Sequence, residues 1–197
     1  MSSARPVFVV TGPSGAGKGT LIKGLLERVA GLEVAVSATT RPQRPGEVDG
    51  HDYWFLSDEE FTRRVDAGEF LEWVPYVSGR RYGTLRSEID RIRGAGKVPL
   101  LDLEIEGALH VRDSVSGAVT VFVDAPSFAE LERRLRERAT ESSGEIDERL
   151  ELAREQRKRA GEFDHVIVND DVERAAGELE EIVRAALAAT TATMGRP

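Results

Sequence analysis

An α/β fold with a parallel five-stranded sheet flanked by helices is predicted by two features of the sequence. The first is a set of five short apolar runs, "PVFVV" (6–10), "LEVAV" (32–36), "VPLLDL" (98–103), "VTVFVDA" (119–125) and "HVIVND" (165–170), each followed by a helical or glycine-marked segment. Strands buried on both faces read as runs that are apolar throughout, and such strands belong to a parallel sheet covered by helices. The second is a glycine-rich turn, "TGPSGAGKGT", set between the first run and the apolar helix "LIKGLL". At 197 residues the chain has room for one well-buried core with excursions rather than for two full domains.

Taken in order, the first strand leads into the turn. Gly12, Gly15 and Gly17 can adopt positive dihedrals and turn backbone N–H groups inward, while the following helix offers its positive N-terminus to an anion. Pro13, Ser14 and Ala16 complete the loop, and Lys18 supplies a point charge for the β and γ phosphates of a nucleotide, which makes this the P-loop of an NTPase-type core. The usual Ser or Thr after the lysine is Gly19, with Thr20 one step later. From residue 38 to 96 the rhythm breaks: "TTRPQRPGEVDGHDY" reads as a polar loop, "YWFL" and "EFLEWVPYV" as short strands, and "RRYGTL" as a turn and return. Pro75 marks an edge strand there, and the segment reads as a small mixed α/β lobe inserted between the second and third core strands. Capping boxes start two helices, Ser57 with Glu60 and Ser127 with Glu130. A second excursion, "ATESSGEIDE" (139–148), follows the helix after the fourth run, and the final "AATTATMGRP" is expected to fray. The expected division is a single unit, 1–197, with a core of 1–37, 97–138 and 156–190, a lobe at 38–96 and a lid at 139–155.

Composition removes several function classes. A formal net charge of −8 leaves no broad basic surface for nucleic acid or an anionic membrane, so an anionic ligand must meet a local basic cluster. With no cysteine there is no disulfide framework, thiol nucleophile or thiolate zinc site. "MSSARPVFVV" is too short an apolar start for a secretion core or a membrane span, and the expected location is cytoplasmic. His51, His110 and His165 show neither triad nor metal spacing.

Three further segments, "SATTRPQRPGEVDGHDYWF", "GEFLEW" with "GRRYGT", and "IVNDD", resemble guanylate kinases in order and spacing over nearly the whole chain. The family pattern S-x-T-T-R-x-x-R-x-G-E-x-x-G-x-x-Y is matched at Ser37, Thr39, Thr40, Arg41, Arg44, Gly46, Glu47, Gly50 and Tyr53. The resemblance implies transfer of the γ-phosphate of Mg·ATP to GMP, giving ADP and GDP, in purine nucleotide metabolism. It makes Arg41, Arg44, Tyr53 and Tyr82 candidates for the GMP phosphate, where guanidinium forks and phenols give charge and direction together. Glu72 matches the family's base-reading carboxylate, Ser37 and Thr84 its hydroxyl positions, and Glu104 an acidic position near the guanine 2-amino group. Adenine at such a site would leave buried polar groups unpaired. On periodicity alone Glu72 is ambiguous and also fits a charge guarding an edge strand. Arg41 and Arg44 also fit a solvated loop, and Arg80 and Arg81 fit that reading better.

The "GKGT" ending is one that adenylate kinases and other nucleoside monophosphate kinases also show, so Gly19 does not exclude a kinase. Mg²⁺ is expected with ATP, held by Thr20 or by Asp102 at the end of an apolar strand, directly or through water. Thr20 equally fits a local hydrogen bond, and Asp102 a buried helix cap. Arg134 and Arg138, four residues apart on one helix face, and Arg149 beyond the excursion match the lid arginines that clamp a transferred phosphoryl group. Asn169 in "IVNDD" matches a contact to the adenine of ATP, though strand-end Asn also caps helices. In "LLDLEIEGA" the family's Gln is Glu106, whose effect is open. Two rivals remain at this point: a ribose 1,5-bisphosphate phosphokinase of related fold, and a non-catalytic binding module, which would carry a degraded P-loop.

Overall fold

The computed structural model describes residues 6–75, 79–138 and 143–194. The first strand, β1 (Val7–Thr11), leads through the glycine-rich turn into α1 (Lys18–Arg28) and β2 (Leu32–Val34). The inserted segment then forms β3 (Ala38–Thr39), β4 (Trp54–Phe55), α2 (Asp58–Asp66), β5 (Phe70–Pro75), β6 (Arg81–Leu85) and α3 (Arg86–Gly94). The chain returns with β7 (Val98–Asp102), α4 (Ile105–Ser114), β8 (Ala118–Asp124), α5 (Phe128–Arg138), α6 (Ser143–Lys158), β9 (His165–Val168) and α7 (Val172–Met194).

The five strands predicted from apolar runs form one parallel sheet in the order β2-β7-β1-β8-β9. Strand β1 shows why the runs are continuous. Phe8 and Val10 point into one core with Leu21, Leu25, Val121 and Leu179, while Val7 and Val9 point into another with Ile92, Leu109 and Phe122. Both faces are covered, so the two-residue alternation of a strand carries apolar side chains at every step. The chain leaves β1 toward α1 with neighbours on both sides, β7 and β8. The crevice at the carboxyl ends of these strands is where open α/β sheets hold ligands.

The inserted segment builds a second sheet, β4-β3-β6-β5, in which β3 and β4 are parallel and the other pairings antiparallel. Its small core joins Ala38, Phe61, Phe70 and Leu85, with the Phe61 and Phe70 rings stacked at 4.4 Å. Burying a ring such as Phe61 contributes about 1.5–3 kcal/mol. Pro75 lies on β5, at the edge of this sheet, as the sequence predicts.

Three expectations are corrected. The stretch read as a polar loop begins with an inner strand: Ala38 and Thr39 are fully buried, and the Thr39 hydroxyl accepts from the Arg41 N–H at 3.1 Å, so this polar residue needs no water. The capping boxes close on one side. Ser57 and Ser127 each accept from the N–H three residues on, at 3.1 Å. Glu60 instead accepts from Arg63 and Arg64, and Glu130 from Arg133 and Arg134, because a charged donor outcompetes a neutral amide. The tail expected to fray is helical as far as Met194; Thr190 and Thr191 bond back to the carbonyls of Ala186 and Leu187 at 3.0 Å, which satisfies their hydroxyls within the helix. Among the described residues no helix is long and apolar enough to cross a membrane.

Candidate active site

The glycine-rich turn is held rigidly to the sheet. Gly12 has φ 137°, and a Cβ there would stand 2.0 Å from the Val123 carbonyl oxygen of β8. Gly17, the N-cap of α1, has φ 94°, and a Cβ on it would meet the Asn169 amide at 2.3 Å. That amide donates to the Ala16 carbonyl at 2.8 Å, and Thr11 donates to the Leu103 carbonyl at 2.8 Å. Lys18 Nζ donates to the Gly12 carbonyl at 2.7 Å across the loop. Gly19 is different: a Cβ there meets nothing within 4 Å, so backbone geometry and space would both admit the usual Ser.

A cavity of about 350 Å³ lies between the loop and the inserted sheet. Lys18, Asp102, Glu104 and Arg149 face it from the core and α6; Ser37, Arg41, Arg44, Tyr53, Glu72 and Tyr82 face it from the lobe. At one end, Glu72 is 4% exposed and its Oε1 accepts from the Thr84 hydroxyl at 2.8 Å, the two facing each other across β5 and β6. Burial pushes the Glu72 carboxyl up to about 7, against the pull of the Thr84 hydrogen bonds. This settles its ambiguity, since a residue so buried does not guard an edge. Desolvation by the surrounding walls also raises the Asp102 and Glu104 carboxyls, opposed in each case by the charge of Lys18, although the Asp102 side chain is open to the cavity and Glu104 only half-buried.

At the other end, Arg41 is 5% exposed and grips Glu47 with both arms of its fork, at 3.0 and 2.7 Å. Its guanidinium lies 5.2 Å from the Tyr53 ring centre and hydrogen-bonds to Tyr82, whose ring meets Tyr53 edge-on at 6.0 Å. The hydrogen bonds that Arg41 donates to Glu47 drive the Arg41 pKa further up and the Glu47 carboxyl down. Glu47 Oε2 also accepts from the Arg44 N–H at 2.7 Å, which leaves the exposed Arg44 side chain beside the cavity. Sequence reasoning matched Glu47 to a pattern without a role; the structure shows that it organises both arginines. Arg81 does not line the cavity; it lies over the Phe61 ring at 4.5 Å, bonded to Asp58 at 2.9 Å and to Thr62 at 2.9 Å.

On the other side of the loop a cavity of about 280 Å³ is lined by Gly15, Gly17, Thr20, Arg134, Asn169 and Val172, among others. The loop is therefore a shared wall between two chambers. The arginines grouped by sequence are divided here: Arg134 lines the smaller chamber, bonded to Glu130 at 2.7 Å and to the Asn169 carbonyl at 3.1 Å, while Arg149 faces the larger. The helix α5 packs one face beside the loop, whereas Arg149 arrives on α6. The Arg138 side chain and residues 139–142 lie outside the described residues. Thr20 and Asp102 are divided in the same way, between the smaller and the larger chamber. Glu106 pairs with Arg159 and lines a neighbouring apolar pocket, so its charge is neutralised away from the larger cavity.

A rigid phosphate-type loop with a chamber on each side, one ending in a buried carboxylate and the other flanked by arginine, defines the class: a P-loop α/β protein built for two phosphorylated ligands. The family model described as Guanylate kinase matches residues 3–186. A guanylate kinase of Symbiobacterium thermophilum is 47% identical over 93% of this chain and 87% of its own length. That of Rubrobacter xylanophilus is 49% identical over 90% of this chain and 93% of its own. The crystal structure of guanylate kinase from Anaplasma phagocytophilum superposes with a TM-score of 0.74 at 31% identity, covering 94% of this chain and 87% of that one. An unliganded sugar kinase from Janibacter, 14% identical with a TM-score of 0.51, shares the fold alone. The chain belongs to the guanylate kinase family.

Proposed function

We propose that this protein transfers the γ-phosphate of ATP to GMP, giving ADP and GDP, in the cytoplasm as part of purine nucleotide metabolism. The observation that carries this reading is the buried Glu72, bonded to Thr84 and facing the same cavity as Lys18 and the Arg41, Arg44, Tyr53 and Tyr82 cluster. A carboxylate in that position accepts from guanine N1–H and N2–H, with Ser37 and Glu104 on neighbouring edges; adenine offers no such pair of donors. Arg44, Arg41 and the two tyrosines take the monophosphate. In the smaller chamber the loop amides of residues 12–20 hold the triphosphate, and Asn169 stands on the adenine side. Residues 38–96 form the GMP-binding lobe, 139–155 the lid, and the remaining segments the core.

The acceptor is a phosphate oxygen that is largely ionised at neutral pH, so no general base is required; catalysis rests on alignment and charge. Lys18, on the wall between the chambers, follows the γ-phosphoryl group from the ATP β-phosphate to the GMP phosphate. Arg149 from the GMP side and Arg134 from the ATP side neutralise the transferred group on closure, and Arg138 is assigned to the same role by its match to the family's lid arginines alone. Among the described residues no three His, Cys, Asp or Glu form a metal-binding group, which suits a cation that arrives on the nucleotide and takes one or two protein oxygens. Thr20 from the smaller chamber or Asp102 from the larger would hold Mg²⁺, directly or through water, and the ion would offset phosphate charge. The intact Gly12, Gly17 and Lys18 speak against a binding module, and the guanine-reading set is superfluous for a ribose bisphosphate.

The test is ADP release in a coupled assay with GMP, dGMP, AMP, ribose 1,5-bisphosphate or no acceptor. Strong GMP dependence with little AMP activity is expected. Inactivity with every acceptor despite measurable GMP binding would return the binding-module reading.

A further inference from the structure

Glu72 reads a base only if its carboxylate stands where the base edge arrives, and the structure shows what fixes that position from behind. Helix α4 packs against β5, and its first turn, after the N-cap Glu104, places Gly107 against the side chain of Glu72. A Cβ on Gly107 would stand 2.4 Å from Glu72 Oε2 and 3.1 Å from its Cδ. Gly107 is buried, and the helical backbone there does not demand glycine. A glycine inside a helix costs roughly 1 kcal/mol relative to alanine, so helix stability gives no reason for it. The other oxygen of Glu72 is tied to Thr84, and on β6 a Cβ at Gly83 would meet the Glu72 carbonyl oxygen at 2.6 Å. The carboxylate is thus held between the Thr84 hydroxyl and the space of a missing methyl group, and with that space filled Oε2 can move only toward the cavity.

We infer that Gly107 is a specificity-determining position for the second substrate: its missing side chain is the space in which the Glu72 carboxylate is held to read guanine. The inference rests on the proposed function. Gly107 touches neither base nor phosphate and acts through Glu72, which makes it a positioning residue. An added methyl displaces Oε2, the oxygen not held by Thr84. The atoms nearest to the added methyl are those of the Glu72 side chain, so the Arg41–Glu47 pair is left in place.

The test is calorimetric titration of the wild-type protein and Gly107→Ala with GMP and with IMP, whose base lacks the 2-amino group, at pH 8, together with thermal unfolding of both proteins. Wild type should prefer GMP. Gly107→Ala should bind GMP about 10–100-fold more weakly, the range expected for one hydrogen bond to a charged group. IMP should weaken only a few-fold, so the preference shrinks while the unfolding temperature holds or rises. Unchanged GMP affinity, or equal losses for GMP and IMP, overturns the inference. If Gly107→Ala does not fold, the comparison moves to the Glu72→Asp background, where the shorter side chain vacates the space of the methyl group. E72D/G107A should then match E72D in GMP affinity, and a further tenfold loss overturns the inference. A wild-type protein that fails to bind GMP brings down the functional reading and this inference together, whereas normal wild-type binding with an unaltered preference in Gly107→Ala sinks the inference alone.

Discussion

At one end of the larger cavity Glu72 is buried with a threonine hydroxyl for its partner; at the other, Arg41 is buried with a carboxylate gripped in both arms. The two ends handle charge in opposite ways. Glu72 bears an unneutralised desolvation cost, which its carboxyl answers by rising to about 7, and a ligand offering N–H donors repays that cost on arrival. Arg41 and Glu47 hold each other charged, and the attraction for a dianion falls largely to the exposed Arg44. On the proposed function, strained charge serves discrimination at the end assigned to the base, and paired charge serves geometry at the end assigned to the phosphate.

The sharpest way to break the comparison is Glu72→Gln. Losing two charge-assisted hydrogen bonds to guanine should lower kcat/KM for GMP by about 10²–10⁴-fold in steady-state kinetics, with the KM for ATP little altered. A second effect follows from the same carboxyl. Its folded pKa of about 7 lies above the ordinary 4.5, so between those values the folded protein keeps a proton that the unfolded chain has released. Its contribution is therefore fully present below pH 4.5 and is lost as pH rises through 7, about 3 kcal/mol in all. Urea unfolding of wild type and Glu72→Gln at pH 5 and pH 8 reads this directly, and the variant should gain relative stability at pH 8. Glu47→Gln probes the other end. Loosening Arg41 should weaken GMP about tenfold and leave guanosine, which has no phosphate, unchanged in calorimetry; equal losses for both would make Glu47 a folding residue only. Smallest of all, Arg81→Ala should alter GMP affinity by less than about twofold, because its partners, Asp58, Thr62 and the Phe61 ring, do not line the cavity.

The sheet was legible because burial on both faces writes itself into sequence as unbroken apolar runs, and the phosphate loop because its glycines and lysine answer to a few rigid backbone demands. What escaped was decided by partners distant in sequence. Strand β3 ends in Thr39, which looks like the start of a polar loop until its hydroxyl is seen bonded to the Arg41 N–H. Glu72 could not be placed on an edge or in a site until Thr84 came opposite it, nor could Glu106 until Arg159 met it. The division of Arg134 from Arg149, and of Thr20 from Asp102, follows from which side of the loop each element approaches. Gly107 left no local signal, since only the packing of α4 on β5 shows what its side chain would strike.

The amide of Asn169 crosses 153 residues of sequence to hold Ala16, and Gly17 must be glycine because that amide lies against it. Asn169 is itself placed by its N–H bond to the Asp124 carbonyl at 2.7 Å, just past the pairing of β9 with β8. During synthesis Ala16, between the glycines, emerges 153 residues before the residue that clamps it. A growing chain thus carries the glycine-rich motif well before it has the clamp that completes it, and a fully formed loop becomes a report that β9 has docked on β8.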